Sequence, residues 1–339
     1  MTNTKEIASE GLSRRSVLLA GAAAGVLSAC GRKGGRAFLS SDTHPPDYPT
    51  VTAVDEMARL LRERTDGRLD IKTYAGGQLG SERDTLEITV FGGLDMNRVN
   101  LAPLNAIEPV TTIPALPFLF RSNEHMRQAL DSPIGDEILA SLTKHDLIGL
   151  CFYDSGDRNF YNTKRPIYTP ADMKGMKIRV PNSDLYVSMI KALGADATPM
   201  SLAEVYQALV QGVIDGAENN WPSYESGRHF EVAPYYSLTH HVIAPEVLVM
   251  SKRRWDKLSK PDQERVRQAA KDSVPFMRKH WDAAVDEARS KLLAAGIKVN
   301  EIADPAAFAA AMRPVWNKYV VTDEQKRLLK EIEAMSEVG

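Results

Sequence analysis

Residues 174–224 read KGMKIRVPNSDLYVSMIKALGADATPMSLAEVYQALVQGVIDGAENNWPSY. Their order of short apolar runs and helical stretches decides the fold class. Met176–Val180 is a short apolar run with Arg179 near its end, which predicts a strand. Ser183 is a good N-cap for a helix that ends near Gly194. After a second short run, Ser201 and Glu204 form an S-x-x-E capping box. It opens a helix that stops at Gly212. Asp215–Asn219, DGAEN, reads as a turn. This βαβα order implies α/β layers. In open α/β folds ligands collect at the carboxyl ends of strands, which draws attention to Arg179 and Asn219.

The alternation continues outward from that stretch. Thr52–Arg64 carries Val54, Met57, Ala58 and Leu61 at helical spacing, and Gly67 stops it. Leu69–Tyr74 alternates as a strand does, Glu82–Phe91 is helical, and Leu94–Val99 is a short strand. Asn123 caps a helix to about Asp131, and Ile134–Lys144 resumes after Pro133. Leu147–Tyr153 and Val247–Ser251 are apolar enough for buried strands. From Pro261 to about Ala295 runs a long helical stretch in which Pro275 is the strong breaker. Asp304-Pro305 and Thr322-x-x-Gln325 start two more helices. Cys151, inside Leu147–Tyr153, is expected to be an inert core thiol.

A chain of 339 residues, 43% hydrophobic and 25% charged, has room for two globular domains. Its net charge of −2, without a long basic run, argues against a nucleic-acid partner. The first thirty residues read as a leader. Ser13-Arg14-Arg15-Ser16 is a twin-arginine patch, and Val17–Ala29 is an apolar run too short to span a bilayer. Leu27-Ser28-Ala29-Cys30 matches the bacterial lipoprotein cleavage box. The expectation is a signal peptide over 1–29, lipid on Cys30, and a flexible glycine-rich tether over 30–36. That would put the mature chain in the periplasm, anchored to a membrane through Cys30. The plain alternative is an ordinary signal peptide with an incidental cysteine.

Arg179 offers a planar fork of donors that fits a carboxylate. Read alone, it is equally a surface arginine paired with a nearby acid. The carboxamide of Asn219 suits a carboxylate or a hydroxyl, or else its own turn backbone. His240 and His241 are adjacent, so a strand would point them to opposite faces, and no metal-ligand spacing emerges with His229. There is no G-x-S-x-G elbow, P-loop or H-E-x-x-H. No catalytic residue, metal or cofactor is therefore expected. Trp221 and Tyr224 fit either sugar stacking or aromatic packing.

Lys177-Ile178-Arg179-Val180-Pro181, Gly77-Gln78-Leu79-Gly80-Ser81-Glu82 and Asp215–Asn219 together resemble the solute-binding proteins of TRAP transporters, the DctP type. The resemblance extends over nearly the whole chain after the leader. It implies two α/β lobes about a central ligand cleft, crossing hinge strands, and a long helix packed along both lobes. Lobe I would take 37–155 plus about 245–284, and lobe II 156–244 plus about 285–339. By the same resemblance Arg179 grips a ligand carboxylate, with Asn219 on the same group and Arg158 in support. Asn182 would contact ligand, or simply cap the helix after it; Leu202 would lie beneath the ligand, or simply in the core.

Glu82 and Asn100 would meet the non-carboxylate part of the ligand, although Glu82 also suits a helix's first turn. Arg98 would share the face of Asn100, and His44 would enter the cleft. A wall containing a glutamate repels a second carboxylate and accepts from hydroxyls. That points to a hydroxylated monoacid, and Asn219–Tyr224 with Pro245-Glu246 resembles the hexuronate branch, hence D-glucuronate or D-galacturonate. Arg98 in the cleft would admit an aldarate or C4 dicarboxylate instead. The receptor would hand its acid to a membrane permease. A periplasmic enzyme acting on uronic acids is the competing class.

Overall fold

The computed structural model describes residues 36–335. The twin-arginine patch, the cleavage box, Cys30 and most of the tether lie outside the described residues. One sheet organises the rest. Its strands are β1 (Arg36–Ser41), β2 (Leu69–Tyr74), β3 (Met96–Asn100), β4 (Leu147–Asn162), β5 (Lys177–Val180), β6 (Asp196–Pro199), β7 (Gly216–Asn219), β8 (Tyr235–Ser251) and β9 (Lys298–Glu301). They lie in the order β2-β1-β3-β8-β4-β7-β5-β6, with β9 also paired to β8.

The long strands β4 and β8 form an antiparallel ribbon. The parallel pair β1 and β3 joins it at one end, through Met96–Asn100 against Met250–Glu246. The parallel set β5, β6 and β7 joins it at the other, through Gly216–Asn219 against Asn162–Asn159. The carboxyl ends of both parallel sets therefore converge on the middle of the ribbon. There the pairing of β4 with β8 slips between Asp154 and Asp157, and an extra residue at such a slip bends the strand. Gly156 sits in this bulge at φ +59°, and a Cβ on it would lie 3.0 Å from the Trp281 ring. Glycine is the residue that can both adopt this conformation and leave the indole its place.

Helices cover the sheet where the sequence is apolar at helical spacing. Pro49–Arg64 buries Val51, Val54, Met57, Ala58 and Leu61. It packs on the long helix Lys260–Ala294, which continues past Pro275 and also touches Trp221–Ser226 at the other end of the sheet. The expected capping boxes at Ser201–Glu204 and Thr322–Gln325 are present. The carboxy-terminal helix Asp323–Ala334 lies against Pro109–Ala115, where the Gln325 side chain donates to the Pro109 carbonyl at 2.9 Å. Arg313–Tyr319 instead packs on Asp184–Ala192.

Two expectations need correction. Gly216–Asn219 is a strand, not a turn. Its glycine is required because a side chain there would collide with the Tyr161 carbonyl across the ladder, and this close approach hides the strand behind turn-like residues. The apolar runs at 147–153 and 247–251 are only halves of β4 and β8. β4 runs on through polar residues, of which Arg158 lines a cavity, and β8 runs back through Val242–Ala244 in the core to Tyr235. Cys151 is buried, with no disulfide among the described residues, and burial pushes its thiol up to about 12. Trp221 stacks on Tyr236 and Tyr224 packs among Tyr161, Tyr236 and Phe230, so both belong to an aromatic core. Among the described residues no helix is long and apolar enough to cross a membrane.

Candidate functional site

A cavity of about 390 Å³ opens where the strand ends converge. A small inner chamber of about 30 Å³ continues it and shares His44, Glu82, Arg179, Pro181, Leu202 and Ser223. Asn100, Arg158, Asn219 and Glu246 complete the chamber. Seven residues singled out from sequence for ligand contact thus meet in one place: His44, Glu82, Asn100, Arg158, Arg179, Leu202 and Asn219. Asn182 lines the outer cavity only. Ser183 sits at the N-cap of the next helix but makes no side-chain cap bond.

Arg98 is on the same strand as Asn100, two residues away, but does not line the cavity. It is fully buried behind the first wall, where three carboxylates take up its guanidinium. Nε donates to Asp42 Oδ2 at 2.9 Å, and Nη1 donates to Glu82 Oε1 at 2.7 Å. Nη2 also bonds Asp42, and Nη1 bonds Glu246. Burial works against the Asp42 carboxylate, but the charges of Arg98 and His44 outweigh it and hold the group well below the usual carboxylate range. Register builds this wall: Asn100 pairs with Glu246 across β3 and β8, and Glu82 Oε1 also accepts from the Asn100 amide at 3.3 Å. His44 Nδ1 lies 2.7 Å from Arg98 Nη2, and its ring stacks on Tyr48 at 3.9 Å. Among the described residues nothing donates to Glu82 Oε2 or Glu246 Oε1. The wall therefore presents acceptors with spare capacity.

The opposite wall has the reverse balance. Arg158 is gripped by Glu218: Nε reaches Oε2 at 2.5 Å and Nη2 reaches Oε1 at 2.8 Å. Its Nη1 donates to Asn219 Oδ1 at 3.0 Å. Burial opposes the Glu218 carboxylate, yet Arg158 and His241 outweigh it and bring the group down to about 2. His241 Nε2 lies 3.3 Å from Glu218 Oε2.

Arg179 is different. It is only 4% exposed, and no carboxylate lies within salt-bridge distance among the described residues. Nε and Nη2 donate to the Met200 carbonyl at 3.0 and 2.7 Å. Of the five N–H groups of a guanidinium, three then remain, on its Nη1–Nη2 end. Burial pulls Arg179 below its ordinary value, only partly offset by the more distant Glu218 and Tyr161. Asn219 Oδ1 accepts from Arg158 and from the Asn220 amide, which turns the Asn219 NH₂ toward the chamber as a donor. Arg179 and the Asn219 NH₂ are thus neighbouring buried donors, chemically suited to a carboxylate.

Asp42, Glu218 and the Met200 carbonyl are not foreseen from sequence, and Glu246 enters there only through the resemblance of Pro245-Glu246 to the hexuronate branch. Each gains its role through a partner far along the chain.

The family model for bacterial extracellular solute-binding proteins, family 7, matches residues 40–323. A solute-binding protein of Chromohalobacter salexigens is 44% identical over 277 residues, 82% of each chain. A TRAP periplasmic solute-binding protein of Bradyrhizobium, solved in complex with α/β-D-galacturonate, is 52% identical with a TM-score of 0.88. The match covers 88% of this chain and 100% of that one. Another from Chromohalobacter salexigens, solved with bound D-glucuronate, is 42% identical with a TM-score of 0.85, over 88% and 99%.

Proposed function

The chain belongs to family 7 of the bacterial extracellular solute-binding proteins, a receptor family, and from that premise we propose that its cleft captures a hexuronate, D-galacturonate or D-glucuronate. One observation carries the reading: Arg179 is a buried cation with no carboxylate in salt-bridge range among the described residues, opposite a wall that offers oxygens of Glu82 and Glu246. The ligand's carboxylate would meet the Nη1–Nη2 end of Arg179 and the Asn219 NH₂, with Arg158 Nη1 in support. Its hydroxyls would donate to Glu82 and Glu246 and accept from Asn100, and Leu202 and Pro181 would face the ring's apolar side. A second carboxylate at the far end would meet Glu82 and Glu246 while Arg98 is already taken. This disfavours an aldarate or a C4 dicarboxylate. The relatives solved with galacturonate and glucuronate support the same choice.

Capture and release make no covalent change to the ligand. The two walls stand on opposite ends of the β4–β8 ribbon, so we assign 37–155 plus about 245–284 to one lobe and 156–244 plus about 285–339 to the other. The carboxy-terminal helix would reach back across the boundary. Closure would turn on the bulge at 154–157, and a ligand favours the closed form only through contacts absent from the open one. Delivery to a membrane permease completes the role. The cleavage box before Cys30 supports a lipid-anchored periplasmic protein exported by the twin-arginine route. A thermal-shift series tests the ligand class, because a ligand of the native state raises the melting temperature. D-Galacturonate and D-glucuronate should raise it strongly, and galactarate and succinate should not. A diacid outperforming both uronates would overturn the choice.

A further inference from the structure

We propose that His229 is a further ligand-contacting residue: a neutral Nε2–H donor, fixed in that tautomer by Tyr161, that shares the ligand carboxylate with Arg179. The proposal rests on the reading of the cleft as an acid-binding site. His229 lines the outer cavity together with Arg179 and Met200, yet is 1% exposed. It follows Arg228, which holds a φ of +56°. That conformation is uncommon for a bulky residue and is retained where the surroundings demand it. It leaves Arg228 exposed while His229 points inward.

The tautomer follows from partner accounting. His229 Nδ1 lies 2.7 Å from Tyr161 Oη. Tyr161 is buried among Tyr224 and Tyr236, and no other group among the described residues hydrogen-bonds its hydroxyl. A buried phenol must donate somewhere, and Nδ1 is the acceptor within reach. Nδ1 therefore keeps its lone pair, and the ring proton sits on Nε2. Nε2 has no hydrogen-bond partner among the described residues, and it faces Gly227, where a Cβ would come within 2.7 Å of it. Glycine at 227 keeps the approach to Nε2 clear.

Burial, with the charge of Arg179 added, pushes His229 down to about 4, and burial pushes the Tyr161 hydroxyl up. Near neutral pH the pair is thus a neutral imidazole and a neutral phenol. A neutral donor in the same cavity lining as Arg179 suits a carboxylate, whose two oxygens offer about four acceptor sites, more than the Arg179 fork alone fills. It adds a hydrogen bond without a second cation to desolvate.

Calorimetry with D-galacturonate on the full chain, and ¹⁵N NMR of labelled histidine in the wild type, test this. His229→Phe should lose affinity by roughly tenfold to a hundredfold, the effect of one hydrogen bond to a charged group. His229→Gln keeps a terminal N–H donor and should bind within about threefold of wild type, allowing for the usual scatter of conservative changes. Tyr161→Phe should weaken binding, and the Tyr161→Phe/His229→Phe pair should be no worse than His229→Phe alone, since both act through one donor. In the wild type the His229 resonances should report the Nε2–H tautomer and shift when ligand is added. That readout needs no variant to fold. A wild type that binds no uronate overturns the reading of the cleft itself. A wild type that binds with the His229 resonances unmoved, or with His229→Phe at native affinity, overturns this inference alone.

Discussion

Arg98 and Arg179 invite comparison. Each lies within a residue or two of the carboxyl end of a strand and each is buried, Arg98 behind one wall of the cavity and Arg179 in the opposite wall. Arg98 meets Asp42, Glu82 and Glu246. Burial opposes its charge, but those carboxylates outweigh it and raise its pKa well above the ordinary value. Arg179 meets one backbone carbonyl and is pulled down. Burial of an arginine therefore says little about function until its partners are counted. A saturated guanidinium organises the wall around it, and an unsaturated one keeps donors to spare.

The largest effect expected from this contrast is on Arg98. Arg98→Ala would strand three carboxylates in or beside the core, at a cost of about 3–5 kcal/mol of folding stability. Urea unfolding of the ligand-free protein measures it. A variant as stable as the wild type would break the comparison. Arg179→Ala should do the opposite. Its unfolding free energy should stay within about 1 kcal/mol of wild type, because no native ion pair is lost. Affinity for a uronate should fall by about 2–5 kcal/mol in calorimetry, with the ligand carboxylate left unpaired. Arg179→Lys should also bind poorly, since Met200 and the ligand need different edges of one planar fork.

The histidines sharpen the contrast through pH. His229 falls to about 4 in the folded chain, against an ordinary 6.5. Between those values the unfolded state binds a proton that the folded state refuses, so stability should fall as pH drops from about 6.5 toward 4. His229→Phe should flatten part of that fall, by at most about 1.4 kcal/mol per pH unit; buried His241, also lowered, should keep the rest. Glu218 acts lower down, since its stabilising charge is fully present above about 4.5 and is lost as pH falls through about 2. An unchanged pH profile in His229→Phe would mean the ring is not held neutral. The smallest effect is on Glu82, which keeps some contact with solvent. Glu82→Gln should weaken uronate binding by about threefold to tenfold, and it should improve binding of galactarate, whose second carboxylate no longer meets that charge. A competition assay with both ligands reads the two changes together.

What could be seen in the sequence was local. The capping boxes at Ser201 and Thr322, the apolar face of 49–64 and the position of Arg179 at a strand end all depend on residues a few places apart. Arg158 and Asn219, singled out through the resemblance, do line the chamber, but the Glu218 that sets them is not foreseen. Glu218 faces Arg158 only because β7 pairs with β4. Asp42 and Glu246 likewise reach Arg98 from segments 56 and 148 positions away. Sequence spacing carries no record of such partners. Arg98 lies on the strand of Asn100, as its spacing implies, but the three carboxylates that take up its guanidinium come from distant segments. The second half of β4 is hidden because it is polar, DSGDRNFYN, and the first part of β8 because His240, His241 and Pro245 interrupt its apolar residues.

A crystal structure of the chain with D-galacturonate tests the central claim most directly. The account predicts a ligand carboxylate oxygen at about 2.7–2.9 Å from the Nη1–Nη2 end of Arg179, with ring hydroxyls turned to Glu82 and Asn100 and with Arg98 still bound to Asp42, Glu82 and Glu246. A carboxylate seated instead against Arg98, with Arg179 left on the Met200 carbonyl alone, would contradict it.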